Sequence, residues 1–493
     1  MFSVSRVKGC MAMCPFFTAP KPRSLIFFFS VLLWTGCSTL THYPDEMANA
    51  LQDYEVGELE KAYRAVEKKT RGGLDQLTYT LESALIKHTE GELEESNKIF
   101  SLAEQHIRQQ EEKAVISVSR TAGQGASILV NEKTIPYSGE PFEKVLVHAY
   151  KALNYLMLRQ YEDARVEVRR VYARQIENRE RHKKELEQVE NEAREKGVRP
   201  EEYFPQISSY YADQSRIGGR VANLYEDAFA YYLSALVYEM NGEYNDAHID
   251  LKKVQSLRPG IPWVENDLLR TAKRAGIYDE YNRWEKSLGR KVQEPRQNDG
   301  EIILFFECGM APCKTQLKIP LFIPDIGVVS LAFPKYELLP NRIDRAALFH
   351  EDGTCLGRTT SLTDIEAIAI RNLQDRMSIL VIKQILRTLA KGTVAMVALD
   401  QQGSAGVAGA VLSSIYNVVT EQADLRSWLT LPQNIQAVRV TIPSGTQQLV
   451  LCLESHGGMC IEKRPFSVQV KPGRFLFLDA RCSTTNLIAF HIQ

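Results

Sequence analysis

Apolar and polar positions divide the chain into stretches of different period. Through residues 37–285 apolar residues return at helical spacing between short polar turns. GELEKA (57–62) and GELEES (91–96) share one skeleton 34 residues apart, and RQYEDA (159–164) and GEYNDA (242–247) repeat it. The pattern predicts antiparallel helical pairs: Ala235 and Ala247 let two helices approach, Gly242 turns the chain, and Pro259 stops the second helix. Residues 286–300, KSLGRKVQEPRQNDG, are polar and punctuated and predict a linker. Residues 301–493 then shift toward a period of two. EIILFF, TQLKIPLFI and RAALFH predict strands, LTDIEAIAIRNLQDRMSILVIKQILRTLAKG predicts a helix ending at Gly392, and four strands follow from Ile435. Their short, even spacing predicts a small antiparallel β-sandwich. The expected fold class is therefore multidomain, α followed by α+β.

Three segments break these patterns. Residues 116–142 read as an irregular loop. Residues 172–200 form a charge-dense helix with little apolar periodicity, read as a solvated projection, with a coiled-coil contact as the alternative. Residues 393–419 carry one charge, Asp400, with Gly406, Ala410 and Ser414 on a small-residue face. That segment reads as a buried helix against the sheet, or as a membrane-inserting or oligomerising one.

The 34-residue period and its skeleton resemble the tetratricopeptide repeat (TPR). The fourth copy carries Tyr231, Ala235, Tyr238, Tyr244, Ala247, Leu251 and Pro259 at that family's positions, while Arg159 replaces the turn glycine of the third. The resemblance implies stacked helical hairpins with a groove for a partner segment, lined by Tyr155, Tyr231, Tyr238 and Tyr244. The alternative is a groove filled by the chain's own C-terminal half.

Ahead of the repeats, Lys21 and Arg23 precede an apolar run from Leu25 to Trp34, too short to span a bilayer, and LLWTGCST follows. This resembles the lipobox of bacterial lipoproteins, with Trp34 where a leucine is usual. The resemblance implies cleavage after residue 36, a diacylglycerol thioether and an N-acyl chain on Cys37, and, because Ser38 and not Asp follows, the periplasmic face of the outer membrane.

An envelope compartment permits disulfides, and six cysteines lie beyond residue 300. ECGMAPCK and LCLESHGGMCIE look like hairpins that pair Cys308 with Cys313 and Cys452 with Cys460, leaving Cys355 for Cys482. Six free thiols are the alternative. A net charge of -1 gives no footprint for nucleic acid. No nucleophile elbow, HExxH, phosphate loop or clustered Cys/His spacing occurs, so the chain reads as a non-enzyme with no metal or cofactor.

The stretches NYLMLRQYEDARVEVRR and TEQADLRSWLTLPQNIQ resemble a family of uncharacterised proteobacterial outer-membrane lipoproteins with degenerate TPR-like repeats. Asp424, Arg426 and Trp428 are its signature here, read as a structural clamp. The function expected is a lipid-anchored periplasmic scaffold or adaptor for an envelope protein machine, with cell-wall synthesis suggested by architectural analogy. The alternative is an export or surface-assembly component that inserts residues 393–419 into a membrane.

Overall fold

The computed structural model describes residues 42–121, 132–221, 224, 226–324, 326–401 and 422–493, with backbone alone over 114–121 and 391–401. Cys37 and most of the segment 393–419 lie outside the described residues.

Five helical hairpins stand at the core of the N-terminal half: α1 (Tyr43–Glu55) with α2 (Leu59–Glu67), α3 (Gln76–Glu90) with α4 (Leu93–Thr121), and α5 (Pro141–Met157) with α6 (Tyr161–Glu195). After two short helices, α7 (Phe204–Ser208) and α8 (Ala212–Gly218), come α9 (Ala228–Met240) with α10 (Tyr244–Leu257) and α11 (Pro262–Arg274) with α12 (Tyr278–Leu288). All five turns share one device, a left-handed residue at Gly57, Gly91, Arg159, Gly242 or Gly276. Around each, two amide hydrogen bonds close the preceding helix, as Gly242 N to Glu239 O and Glu243 N to Tyr238 O do. This is the Schellman ending, which needs positive φ. Arg159, at φ +61°, is the one non-glycine there among the described residues. The fifth hairpin extends the array beyond the four copies read from sequence, and α4 runs into the stretch expected as loop.

Eleven strands follow among the described residues. A mixed sheet has the order β11 (Leu487–Ile492), β10 (Phe475–Cys482), β1 (Asp299–Cys308), β7 (Asn434–Pro443), β6 (Thr360–Asp364), with β1 and β10 parallel. An antiparallel sheet has the order β5 (Cys355–Arg358), β4 (Arg345–His350), β8 (Gly445–Glu454), β9 (Cys460–Val470). β2 (Cys313–Ile323) and β3 (Gly327–Glu337) form a separate ribbon. The four strands expected as one sandwich are thus shared: β7 and β10 join the mixed sheet, β8 and β9 the other.

The mixed sheet is the middle layer, because side chains alternate across it. Ile302, Leu304 and Phe306 meet Leu348, Leu449 and Leu451 of the second sheet, while Ile303, Phe305 and Phe477 join a core built mainly from the helices. Burial on both faces explains the unbroken apolar run IILFF, residues 302–306. The helix-side core runs without interruption from Leu77 to Phe477, so residues 286–300 mark a change of secondary structure and not of packing.

Two long helices depart from expectation. α13 (Ile365–Gln401) continues through Gly392. The charge-dense end of α6 lies along it: Val189 and Ala193 pack on Ile379, Ile382 and Leu386, and Glu185 receives a 2.6 Å bond from Lys383. The helix-to-helix contact, not the solvated projection, is what forms.

Cys452 and Cys460 are bonded across β8 and β9, with Cα atoms 5.8 Å apart. The other two pairings are corrected. β1 and β2 lie in different sheets, so ECGMAPCK is no hairpin; instead β10 runs beside β1 and brings Cys482 to 3.8 Å from Cys308, both buried as thiols. Cys313 is half-buried and Cys355 exposed.

The turns generate a paired prediction. Arg159→Gly relieves a left-handed non-glycine and raises stability by about 0.5–1 kcal/mol. Gly91→Ala combines φ +87° with a Cβ 2.8 Å from the His491 ring and lowers it by about 1–3 kcal/mol. Denaturant titrations followed by circular dichroism check both signs.

Candidate functional site

In a free repeat array the first helix of each hairpin lines the groove. Here α3, α5 and α9 are enclosed: of α5, only Pro141 and Tyr155 escape burial. What covers them is the chain's own extended segment 422–428, together with β1, β7 and β10.

An extended segment outside a sheet has backbone N–H groups that need acceptors. Glu82, on α3, accepts from Leu429 N at 2.8 Å, Thr430 N at 2.9 Å, the Thr430 hydroxyl at 2.5 Å and the Tyr43 hydroxyl at 3.0 Å. Glu143, on α5, accepts from Trp428 N at 2.8 Å and the Tyr137 hydroxyl at 2.7 Å. It also accepts from Glu140 N, forming the capping box that starts α5. Burial pushes both carboxyls up to about 7, against the hydrogen bonds that favour their ionised forms. Glu140 goes the other way: burial opposes its charge, but Lys314 and Arg376 overcome it and hold the carboxyl far below the usual range.

The three signature residues sit in this segment. Arg426 is clamped by both oxygens of Asp424 at 2.7 and 2.8 Å, and donates to the carbonyls of Leu74, Glu132 and Ile135. Trp428, 1% exposed, stands edge-on to Phe100 and tilted against Tyr150, and its Nε1 donates to Thr430 Oγ1 at 3.2 Å. Through these contacts Arg426 and Trp428 hold the C-terminal segment against the first three repeats.

A second tie joins the later repeats to the sheet. Arg439 on β7 reaches Glu239 of α9 at 2.7 Å and Glu301 of β1 at 2.8 Å, and Arg270 of α11 reaches Glu301 at 2.9 Å and Asp267 at 2.6 Å. Two guanidinium groups and three carboxylates are buried together.

The tyrosines expected along the groove do not share one surface. Tyr231 is 4% exposed, its ring under Lys253 and 5.5 Å from Tyr172. Tyr155 and Tyr238 are half-buried against the helix-side core, and Tyr244 lies beneath Arg274.

Sequence reasoning also missed the meeting of His88, Glu307 and Asp479, from α3, β1 and β10. They are buried, with ligand-capable atoms all within 4.8 Å of one another. No local spacing announces them.

No family model matches this chain, and no curated protein does. Solved structures give weak likenesses over about half of it. MamA from Desulfovibrio magneticus RS-1 is 11% identical, with a TM-score of 0.27, over 50% of this chain and 91% of its own. A tetratricopeptide repeat protein from Parabacteroides merdae is 12% identical, TM-score 0.23, over 51% and 81%. The TPR2AB domain of yeast Sti1, solved in complex with a pHSP90 partner, is 14% identical, TM-score 0.19, over 49% and 88%. The last two are named for tetratricopeptide repeats, and the TPR-like character of this chain rests on its own five turns.

Two predictions follow from the ties. Arg439→Ala leaves three buried carboxylates with Arg270 as their one fully buried cation and costs about 3–5 kcal/mol in chemical denaturation. Glu82 holds its proton in the fold up to about 7 but only to about 4.5 when unfolded, so its stabilising contribution is complete below 4.5 and lost as pH rises through 7. Between those limits wild type loses about 1.4 kcal/mol per pH unit more than Glu82→Gln, a slope difference read from denaturation at each pH.

Proposed function

We propose that this chain is a scaffold or adaptor, anchored through a lipid on Cys37 to the periplasmic face of the outer membrane, that works on an envelope protein machine by contact and not by catalysis. The observation that supports contact is the seating of an extended segment on the inner helices of a TPR-like array, the mode in which such repeats hold a peptide. Because the chain's own residues 422–430 take that seat, a partner meets the second helices of the hairpins, where Ile249 on α10 is 41% and Tyr278 on α12 is 63% exposed. Lipid tethering raises the local concentration of that surface near the membrane, so modest contacts suffice. Cell-wall synthesis is the machine we favour, by analogy of architecture alone.

Among the described residues no helix is long and apolar enough to cross a membrane. Carbonate extraction of cells carrying Cys37→Ala tests the anchor: the variant is released into the soluble fraction. Retention in the pellet instead favours insertion of residues 393–419 and the export reading. Photo-crosslinkers at Ile249 and Tyr278 then capture one envelope protein repeatedly, while a crosslinker at Trp428 gives only internal adducts. Capture from Trp428 alone puts the partner in the groove, in competition with the chain's own segment.

A further inference from the structure

His88 lies on the inner face of α3 and is 1% exposed. Its Nδ1 stands 2.6 Å from Asn154 Oδ1. The Asn154 amide is fixed, since Nδ2 donates to Ser96 Oγ at 3.0 Å and to Asn97 Oδ1 at 2.9 Å. Its oxygen therefore faces the imidazole, and Nδ1 carries the hydrogen. The other ring nitrogen, Nε2, points at Glu307 Oε1, 3.0 Å away, and Asp479 Oδ2, 3.5 Å away. An imidazole whose N–H is held by a neighbouring acceptor, with its free nitrogen among carboxylates, is the arrangement by which proteins orient a metal-binding histidine.

The surroundings supply too few donors for these two carboxylates. Arg481 is the nearest guanidinium, but its N–H groups go to the carbonyls of Glu307, Gly309, Thr430 and Cys482, to the Tyr54 hydroxyl and to Met310 Sδ. It comes no closer than 3.7 Å to Glu307 Oε2. Glu307 Oε2, Asp479 Oδ1 and the Tyr150 hydroxyl are buried without a hydrogen-bond partner. The Tyr150 ring is packed against His88 at 5.1 Å, and its hydroxyl, already raised by burial, is raised further by the charge of Glu307. Two buried carboxylates that share a ring nitrogen carrying no hydrogen call for a cation between them.

We propose that His88 Nε2, Glu307 Oε1 and Asp479 Oδ2 bind a divalent transition-metal ion, zinc in the first instance, which pins the second repeat to β1 and β10. The spacing suits it: donors arranged tetrahedrally at about 2.1 Å from zinc stand about 3.4 Å apart. One nitrogen and two carboxylate oxygens suit a borderline ion better than calcium, which takes six or more oxygens. The fourth position falls to the Tyr150 hydroxyl or to a water. With every ligand buried, the ion enters during folding and acts as a structural staple, distinct from the surface that meets a partner.

The test uses the full, lipid-anchored chain purified in detergent without chelators or an immobilised-metal column. Elemental mass spectrometry gives about one equivalent of zinc per chain, and His88→Gln and Glu307→Gln each bring it below about a tenth. Since either variant can fail to fold, wild type is also denatured, stripped with chelator and refolded with zinc, with magnesium, or with neither. Zinc alone restores the native melting temperature and is retained at one equivalent. The proposal is overturned if wild type holds no stoichiometric transition metal as purified and takes up none on refolding. It is equally overturned if nitrogen-15 NMR of the refolded chain in zinc shows His88 as an imidazolium, the proton then being what sits between the carboxylates.

Discussion

The backbone amides of Trp428, Leu429 and Thr430 need acceptors, and Glu82 and Glu143 provide them from two successive repeats. On that exchange the rest of the molecule depends. A segment without ladder partners can lie inside a protein only where side chains replace the ladder, and two first helices of the array are placed to do so. Once it is seated, Arg426 is drawn to the loops before α3 and α5, Trp428 fills the space between Phe100 and Tyr150, and the mixed sheet closes over the helices. The result has the contacts of a receptor with its peptide, made within one chain.

How much of this was legible depended on range. The helical hairpins were readable because a tight turn between helices demands a left-handed residue, and glycine is the residue that meets the demand without strain. The fifth hairpin carried the same signal, Gly276 standing 34 residues after Gly242, but α12 buries no side chain completely and so leaves a weak apolar pattern. The strands were readable from alternation, their partners were not: β1 pairs with β10 across more than a hundred residues, and no local pattern encodes that choice. The Cys308–Cys313 pairing failed for the same reason, having assumed that neighbours in sequence face each other, whereas Cys452 and Cys460 do so across a true hairpin.

The buried charges were the least legible. Glu82, Glu239 and Arg270 sit on amphipathic helices where a charge reads as the solvated face, and Arg439 and Glu301 sit in strands where it reads as the outward side. All five are inward. Only when helices and sheet are placed together does each group find its partner, as Arg439 finds Glu239 over a separation of 200 residues. The same compensation keeps such groups tolerable in the interior, where one left alone would be costly.

The final strand has a consequence for how the chain comes to be. β11 rides on the turns of the first two hairpins: His491 bonds the carbonyl of Thr89, Asn486 that of Glu55, and the Ile488 carbonyl lies against Gly57. The beginning of the array is therefore completed by a strand more than four hundred residues further along the chain. A chain made from its N-terminus exposes the inner faces of its repeats while the rest is made, and closure waits on residues 487–492. Contacts so distant in sequence fold slowly. Until they form, the inner helices stand without the sheet and segment that enclose them, and the interval between making the first hairpin and making the strand that completes it is the longest in the fold.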